Sequence, residues 1–374
     1  MNLNCNRSLF PILSSHTHLA SCSQGAIAIP VSKAIEDYHQ SLLNDGTNWG
    51  AALKKADAAG GLFAQLIGAE KDEVAILCSV SDALSSIMST LTDHPKRKGI
   101  VFTDIDFPTV GHILYAQKTF KDHLSIVRSF NNEIPLEQYE KKVSNDTLLT
   151  CIPHVNFCNG YKQDVKKIAD IVHGKGSLLF VDAYQSAGHI PINVKEMGID
   201  MLATGTRKYL LGIPGVAFLY IRKELAKELN PRVTGWMGQE ESAAFDLLNP
   251  IPAVGTRRFE TGTPAFISIY AAHEALRVLL EMGINNIESH LKNLTQFGLH
   301  YGLEKGLTLA GPLTIENRTS LMSFHVENAP LVEAKLRERK IIVSARKNVI
   351  RIAPHFYNTQ DDIQLALDEL SQIV

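Results

Sequence analysis

Apolar positions change their period several times along this chain. Over 30–46, "PVSKAIEDYHQSLLNDG" keeps a helical spacing, opens on Pro30 and stops at Gly46, which predicts a helix. A second helical pattern covers 51–68. Short apolar runs at 73–79, 99–104, 124–130, 147–153, 177–183, 199–205 and 215–221 read as buried strands. Amphipathic stretches at 82–91, 137–143 and 165–176 read as helices between them. Short β runs alternating with helices predict an α/β fold whose mostly parallel, seven-stranded sheet is covered on both faces. Ligands of such sheets gather at the carboxyl ends of the strands. Ser79, His154, Asp182 and Lys208 all fall just after predicted strands, on one rim.

From residue 266 the pattern changes. Two long helical stretches, 267–283 and 286–306, precede a strand at 320–326 and a helix at 330–340. Strand-like 341–345 and 349–354 and a last helix at 359–374 complete a smaller α+β unit. The expected division is a large α/β domain over 20–262 and a small C-terminal domain over 263–374, with segment 1–19 packing nearby. A chain of 374 residues suits two unequal domains.

Composition narrows the partners. Hydrophobic residues make up 45% and charged residues 20%, an ordinary balance for a soluble globular protein. A formal net charge of −2 gives no basic excess, which argues against nucleic acid or an anionic membrane as main partner. No apolar run reaches the ~18 residues that span a bilayer. "LASC", 19–22, has the form of a lipoprotein cleavage box, but the apolar "LFPIL" is too short and too far upstream for a signal peptide, so a cytoplasmic location is expected. The five cysteines, Cys5, Cys22, Cys78, Cys151 and Cys158, show no CxxC spacing and no zinc-like grouping. They read as reduced thiols, with no metal site expected.

Two charged residues stand against the apolar runs. Asp182 ends "LLFVDA", and Lys208 lies in "TGTRKYLLGIPGVAFLY". A buried lysine is costly unless paired or chemically used. At a strand end beside glycines, it can form a Schiff base once desolvation lowers its pKa. A buried carboxylate needs a cationic partner, and a protonated pyridine nitrogen is one; a capping or strand-end aspartate is the plainer alternative. Gln185, three residues on, can reach the same ligand as a hydrogen-bond donor.

"VDAYQSAGHIPINV" followed by "GTRKYLLGIPGVAFLY" resembles the class V aminotransferase family of pyridoxal-phosphate (PLP) enzymes. That family includes cysteine desulfurases, selenocysteine lyases, isopenicillin N epimerase and kynureninase. The 26-residue interval from Asp182 to Lys208 suits it, and the resemblance extends from "HLASCSQG" to "RIAPHFYNTQDDI". It implies PLP-dependent transferase fold type I, pyridoxal 5'-phosphate as cofactor and a small amino-acid substrate. It also implies a homodimer with active sites at the interface, Lys208 as the Schiff-base residue and Asp182 at the ring nitrogen.

Further positions follow from the resemblance. "CSVSDALSS" places Ser79, Val80 and Ser81 at the cofactor phosphate, on a helix N-terminus that favours a dianion; Ser81 as a plain N-cap is the alternative. "DIDFPTVGH" resembles the kynureninase-like branch and makes Phe107 the residue stacked on the pyridine ring. "TGWMGQ" places Trp236 at the phosphate or substrate pocket, and "RRFETGTPAF" places Gly262 and Thr263 at the partner's phosphate. Thr206 and Arg207 flank the lysine as cofactor contacts, with Arg207 either on the phosphate or facing solvent. "NVIRIAPHFYNTQDDI" makes Arg351 the grip on the substrate α-carboxylate, for which a planar fork suits better than lysine. His154 in "CIPHVNFCNG" falls beside the cofactor, either assisting proton transfer or serving as a hydrogen-bonded structural residue. Cys22 and Cys158 fall near the pocket with no assigned role.

Departures from the family pattern narrow the chemistry. A cysteine desulfurase uses a C-terminal cysteine as sulfur acceptor, and no cysteine follows Cys158 here. Kynureninases have a tyrosine before the lysine and a histidine where Gln185 stands; this chain has Arg207 and Gln185. The reading is therefore an enzyme acting on an α-amino acid by transamination or lyase chemistry, with selenocysteine/C–S lyase or cysteine desulfurase-like, isopenicillin N epimerase-like and kynureninase-like activities as alternatives. A catalytically silent binding protein of the same fold would have no need for lysine, aspartate and arginine together. No GxGxxG follows the first strand, which argues against a dinucleotide site.

Overall fold

The computed structural model describes residues 7–92, 96–130 and 133–374, so Cys5 lies outside the described residues. The first part of the chain runs β1 (Thr17–His18), α1 (Ile29–Asp45), α2 (Trp49–Ile67), β2 (Val74–Leu77), α3 (Val80–Leu91), β3 (Gly99–Thr103), α4 (Pro108–Ala116) and β4 (Leu124–Val127). Next come α5 (Leu136–Lys142), β5 (Thr147–Pro153), α6 (Val165–Gly174), β6 (Leu178–Asp182), β7 (Met201–Gly205), β8 (Ala217–Ile221) and α7 (Lys223–Glu228). The C-terminal part adds α8 (Phe266–Met282), α9 (Ile284–Glu304), β9 (Leu309–Ala310), β10 (Met322–His325), α10 (Ala329–Glu338), β11 (Ile341–Ile342), β12 (Ser344–Arg346), β13 (Val349–Ile352) and α11 (Gln360–Ile373).

All seven predicted strands enter one sheet, in the order β2-β8-β7-β6-β5-β3-β4. Only β8 runs antiparallel to its neighbours. The strands read as unbroken apolar runs because helices cover both faces: every residue of β5, β7 and β8 is buried. Successive side chains take opposite faces. Val181 joins Phe63, Phe218, Ile269 and Leu276 on one side of the sheet. Phe180 joins Ile87, Phe102 and Leu219 on the other. The α8 residues in the first of these cores show that this helix packs on the large sheet, against α1 and α2.

The smaller sheet is antiparallel, β12-β13-β10-β9, and its core gathers Phe324, Ile350, Leu336, Ile363 and Leu367. The N-terminal segment is tied to this part through β1, where Thr17 pairs with Ile341 in parallel register. Three differences from the sequence pattern are local. The run 341–345 is interrupted at Val343 and divides into β11 and β12, each pairing with a different strand. Residues 108–116 form α4, started by Pro108 after the extended Phe107. Ser79, not Ser81, caps α3: its hydroxyl accepts the Asp82 N–H at 3.1 Å.

Candidate active site

The carboxyl ends of β2, β5, β6 and β7 open into one cavity, lined also by Arg346 and Arg351 from the β12–β13 hairpin. Asp182, the last residue of β6, is 7% exposed. Its Oδ1 accepts the Tyr184 N–H at 2.9 Å. Burial pushes its carboxyl above the usual carboxylate range, while that N–H and the Lys208 ammonium pull it back down.

Lys208 lies three residues beyond β7 and is also 7% exposed. Burial lowers its ammonium from 10.5 to about 7; Asp182 opposes the drop, and Arg351 and Arg207 add to it. Nζ sits 4.0 Å from the Tyr184 ring centroid and 5.8 Å from that of Phe107. The Tyr184 ring can lie there because residue 205 is glycine: a Cβ would meet Tyr184 Cζ at 2.3 Å. The backbone after the lysine is equally fixed. Gly25 N–H donates to Arg207 O at 2.8 Å, Gly212 N–H to Thr206 O at 2.9 Å, and Leu211 takes a left-handed φ of 60°. A half-neutral amine on a held backbone is suited to attack an aldehyde.

Around this pair the cavity offers three kinds of recognition. At one end, Ser79, Val80 and Ser81 present the N-terminus of α3, with the Ser81 and Thr109 hydroxyls 2.8 Å apart and Arg207 on the same cavity. Phe107 is 42% exposed, set edge-on to Phe157 at 5.2 Å, so an apolar ring face is available to a flat ligand. At the other end Arg351 is 1% exposed and donates to Phe157 O at 2.8 Å and Ser344 Oγ at 2.6 Å. Gln185 donates to Cys22 O at 3.0 Å and leaves its buried Oε1 without a partner.

These features fit pyridoxal 5'-phosphate. A helix N-terminus with hydroxyls and an arginine suits its phosphate, an exposed phenylalanine face suits its ring, a buried carboxylate suits its ring nitrogen, and a near-neutral lysine suits its aldehyde.

Ser79, Val80, Ser81, Phe107, Asp182, Gln185, Arg207, Lys208 and Arg351 all line this one cavity. His154 does not. Pro153 and Val155 face the cavity, and His154 between them points to the opposite side, into a cleft with Tyr161, Lys162 and Gln163. There it is buried with Nδ1 unpartnered, and burial lowers it to about 3, so it stays neutral. Thr206 is withdrawn for a different reason: its hydroxyl donates to Ile213 O at 2.6 Å and closes the turn after the lysine. Trp236 packs on Trp49 and Phe245 away from the cavity. Gly262 and Thr263 are exposed and outside it. Conversely, Tyr184, Phe157, Thr109 and Arg346 line the cavity without having been singled out by sequence. Tyr184 stood within the motif around Asp182, a usable signal; Arg346 carried none. Cys22 faces the cavity and Cys158 does not.

Comparison with known proteins gives the same direction. The family model "Aminotransferase class-V" matches residues 29–366. An uncharacterised aminotransferase of Bacillus subtilis (strain 168), YcbU, is 53% identical over 365 residues, covering 98% of this chain and 96% of its own. A kynureninase of Geobacillus thermodenitrificans (strain NG80-2) is 27% identical over 336 residues, covering 85% of this chain and 78% of its own. In fold, the chain is similar to the apo cysteine desulfurase of Thermococcus onnurineus NA1, with a TM-score of 0.88 at 22% identity, covering 99% of this chain and 97% of that one. With the family match running from α1 into α11, the chain belongs to the class V aminotransferase family.

Proposed function

We propose that this PLP enzyme transfers the amino group of an α-amino acid, with Lys208 as its cofactor-binding and proton-moving residue. When bound, the cofactor supplies an aldehyde for the amino group and a ring that accepts electrons from the bond broken at Cα. Lys208, near neutral at pH 7, takes up the Cα proton and returns it. Asp182 holds a proton at the ring nitrogen. Arg351 binds the α-carboxylate through the terminal N–H groups left beyond its bonds to Phe157 O, Ser344 O and Ser344 Oγ. Ser79, Val80, Ser81 and Arg207 bind the phosphate, and Phe107 covers one ring face. The carrying observation is that lysine, aspartate and arginine from distant parts of the chain surround one cavity. Amino-group transfer is favoured over lyase chemistry by the relative that shares 53% of its sequence, itself named an aminotransferase.

The reading includes a homodimer. Phe245, Leu247, Leu248, Ile251 and Val254 are 76%, 88%, 84%, 59% and 72% exposed within one short segment, which supports an interface there. Gly262 and Thr263 follow that segment and would contact the partner's phosphate site. No helix among the described residues is long and apolar enough to cross a membrane, and Cys22, Cys78, Cys151 and Cys158 are unpaired, which fits the reducing cytoplasm.

The test is borohydride reduction of the loaded enzyme with peptide mapping, followed by single-turnover reaction with a panel of amino acids. A label on Lys208, and stoichiometric keto acid formed without ammonia, is the expected result. Ammonia release would replace transfer by lyase chemistry, racemised substrate would indicate an epimerase, and a label elsewhere would overturn the lysine assignment.

A further inference from the structure

Four cationic side chains line the cavity, Arg207, Lys208, Arg346 and Arg351, against one carboxylate, Asp182. The proposed function uses three of the four: Arg207 for phosphate, Lys208 for the aldehyde, Arg351 for the α-carboxylate. Arg346 is left over. Its guanidinium forms no hydrogen bond or ion pair with any described residue, although burial and the neighbouring Arg351 both act against its charge. Glu333, the nearest carboxylate candidate, is engaged elsewhere, accepting the Ala345 N–H at 3.0 Å and pairing with Arg337 at 3.7 Å.

The hairpin register explains why Arg346 faces the cavity. Ser344 pairs with Arg351 across β12 and β13, and Arg346 pairs with Val349. Directly opposed residues share a face, and so do residues two apart on one strand. Arg346, Ser344 and Arg351 therefore project from the same side. Arg346 and Arg351 are diagonal neighbours, roughly 7–8 Å apart at the backbone. That is the scale of a short amino acid carrying an acid at each end. The turn between the strands is tight, with Lys347 at a left-handed φ of 51°, so Arg346 is held on a short hairpin and not on a long loop.

We infer that Arg346 forms a distal anion subsite, and that the substrate is an α-amino acid with a second acidic group on a short side chain. This deepens the proposed function and rests on it. Arg351 takes the α-carboxylate and Arg346 the side-chain carboxylate or sulfonate, each through a charge-assisted fork. Arg346 is exposed at the mouth of the cavity, so a neutral side chain leaves its guanidinium to water and forgoes the charge-assisted pair.

The test is titration of the PLP-loaded holoenzyme by its absorbance, using L-aspartate, L-cysteate, L-asparagine and L-alanine. Wild type is expected to bind aspartate or cysteate at least about tenfold more tightly than asparagine, equivalent to about 1.4 kcal/mol. In Arg346→Gln that ratio falls to near one, and Arg346→Lys, which keeps the charge but not the fork, recovers part of it. Cofactor absorbance and thermal unfolding of both variants check that they are folded. A wild-type ratio near one, or a ratio unchanged in Arg346→Gln, overturns the subsite while leaving the proposed function standing. Absence of an absorbance response to any amino acid overturns the proposed function, and the subsite with it. Aspartate against cysteate then distinguishes a carboxylate from a sulfonate side chain.

Discussion

Replacing Lys208 by methionine separates the cost of burying its charge from its chemical use. In the unfolded chain the lysine ammonium titrates near 10.5, and in the folded cofactor-free chain burial brings it to about 7. At about 1.36 kcal/mol per pH unit, that drop corresponds to about 5 kcal/mol favouring the neutral amine. Above about pH 10.5 both states are neutral and the fold bears no charge cost. Between about 10.5 and 7 the unfolded chain holds a proton that the folded chain lacks, so stability falls as pH falls. Below about pH 7 both states are protonated and the full cost is constant. The Lys208→Met chain has a similar length of side chain and no such titration. Its stability advantage over wild type is therefore expected to be larger at about pH 6 than at about pH 9, by about 3 kcal/mol. The assay is urea unfolding of both cofactor-free proteins at one protein concentration, comparing the difference in midpoint multiplied by m at each pH. Titrating groups away from Lys208 are common to both chains and cancel in the difference; Asp182, whose carboxyl the Lys208 ammonium pulls down, does not, so the pair is also compared in an Asp182→Asn background. Any packing effect of methionine is a constant offset. A difference that stays flat from pH 6 to 9 would refute the buried, depressed lysine on which the site depends.

Asp182→Asn removes the main group holding the Lys208 ammonium up, so the pH midpoint for capture of PLP by the cofactor-free protein is expected to move lower. Its turnover should fall on the order of a thousandfold, since a pair at ~4 Å and an effective dielectric near 20 is worth about 4 kcal/mol. Arg351→Gln is expected to weaken amino-acid binding by roughly ten- to a hundredfold in the absorbance titration, with little recovery in Arg351→Lys because the fork to Phe157 O and Ser344 Oγ is lost. Gly188→Ala should destabilise by at least about 2 kcal/mol in denaturant, because φ is +102° and a Cβ would meet Tyr209 O at 2.3 Å beside the lysine. Leu247→Asp combined with Leu248→Asp should convert the proposed dimer to monomer by light scattering, and a dimeric mass unchanged by the two substitutions would remove that segment from the interface.

What the sequence revealed depended on whether one residue's neighbours along the chain were enough to define its surroundings. The seven large-sheet strands are apolar through their whole length because both faces are covered, so no pairing information was needed to see them. Lys208 and Asp182 stood out for the same reason, as charges set in apolar runs, whereas Arg351 came only with the family resemblance of "NVIRIAPHFYNTQDDI". Strands β1, β9 and β11 have two residues each and exist only through partners far along the chain, as Thr17 does through Ile341. The residues expected at the site but placed away from the cavity share that cause. His154 adjoins Pro153 and Val155, which line the cavity, yet alternation turns it to the other face. Thr206 stands two residues before Lys208, yet Ile213 O claims its hydroxyl. Arg346 escaped notice because nothing near it in sequence fixes its direction; only the pairing of Ser344 with Arg351 does. Residue type and spacing identify a chemistry. Which side chains share in it is decided by facing, and facing is set by contacts between segments far apart in the chain, as Phe157 O and the Arg351 guanidinium are at 194 residues.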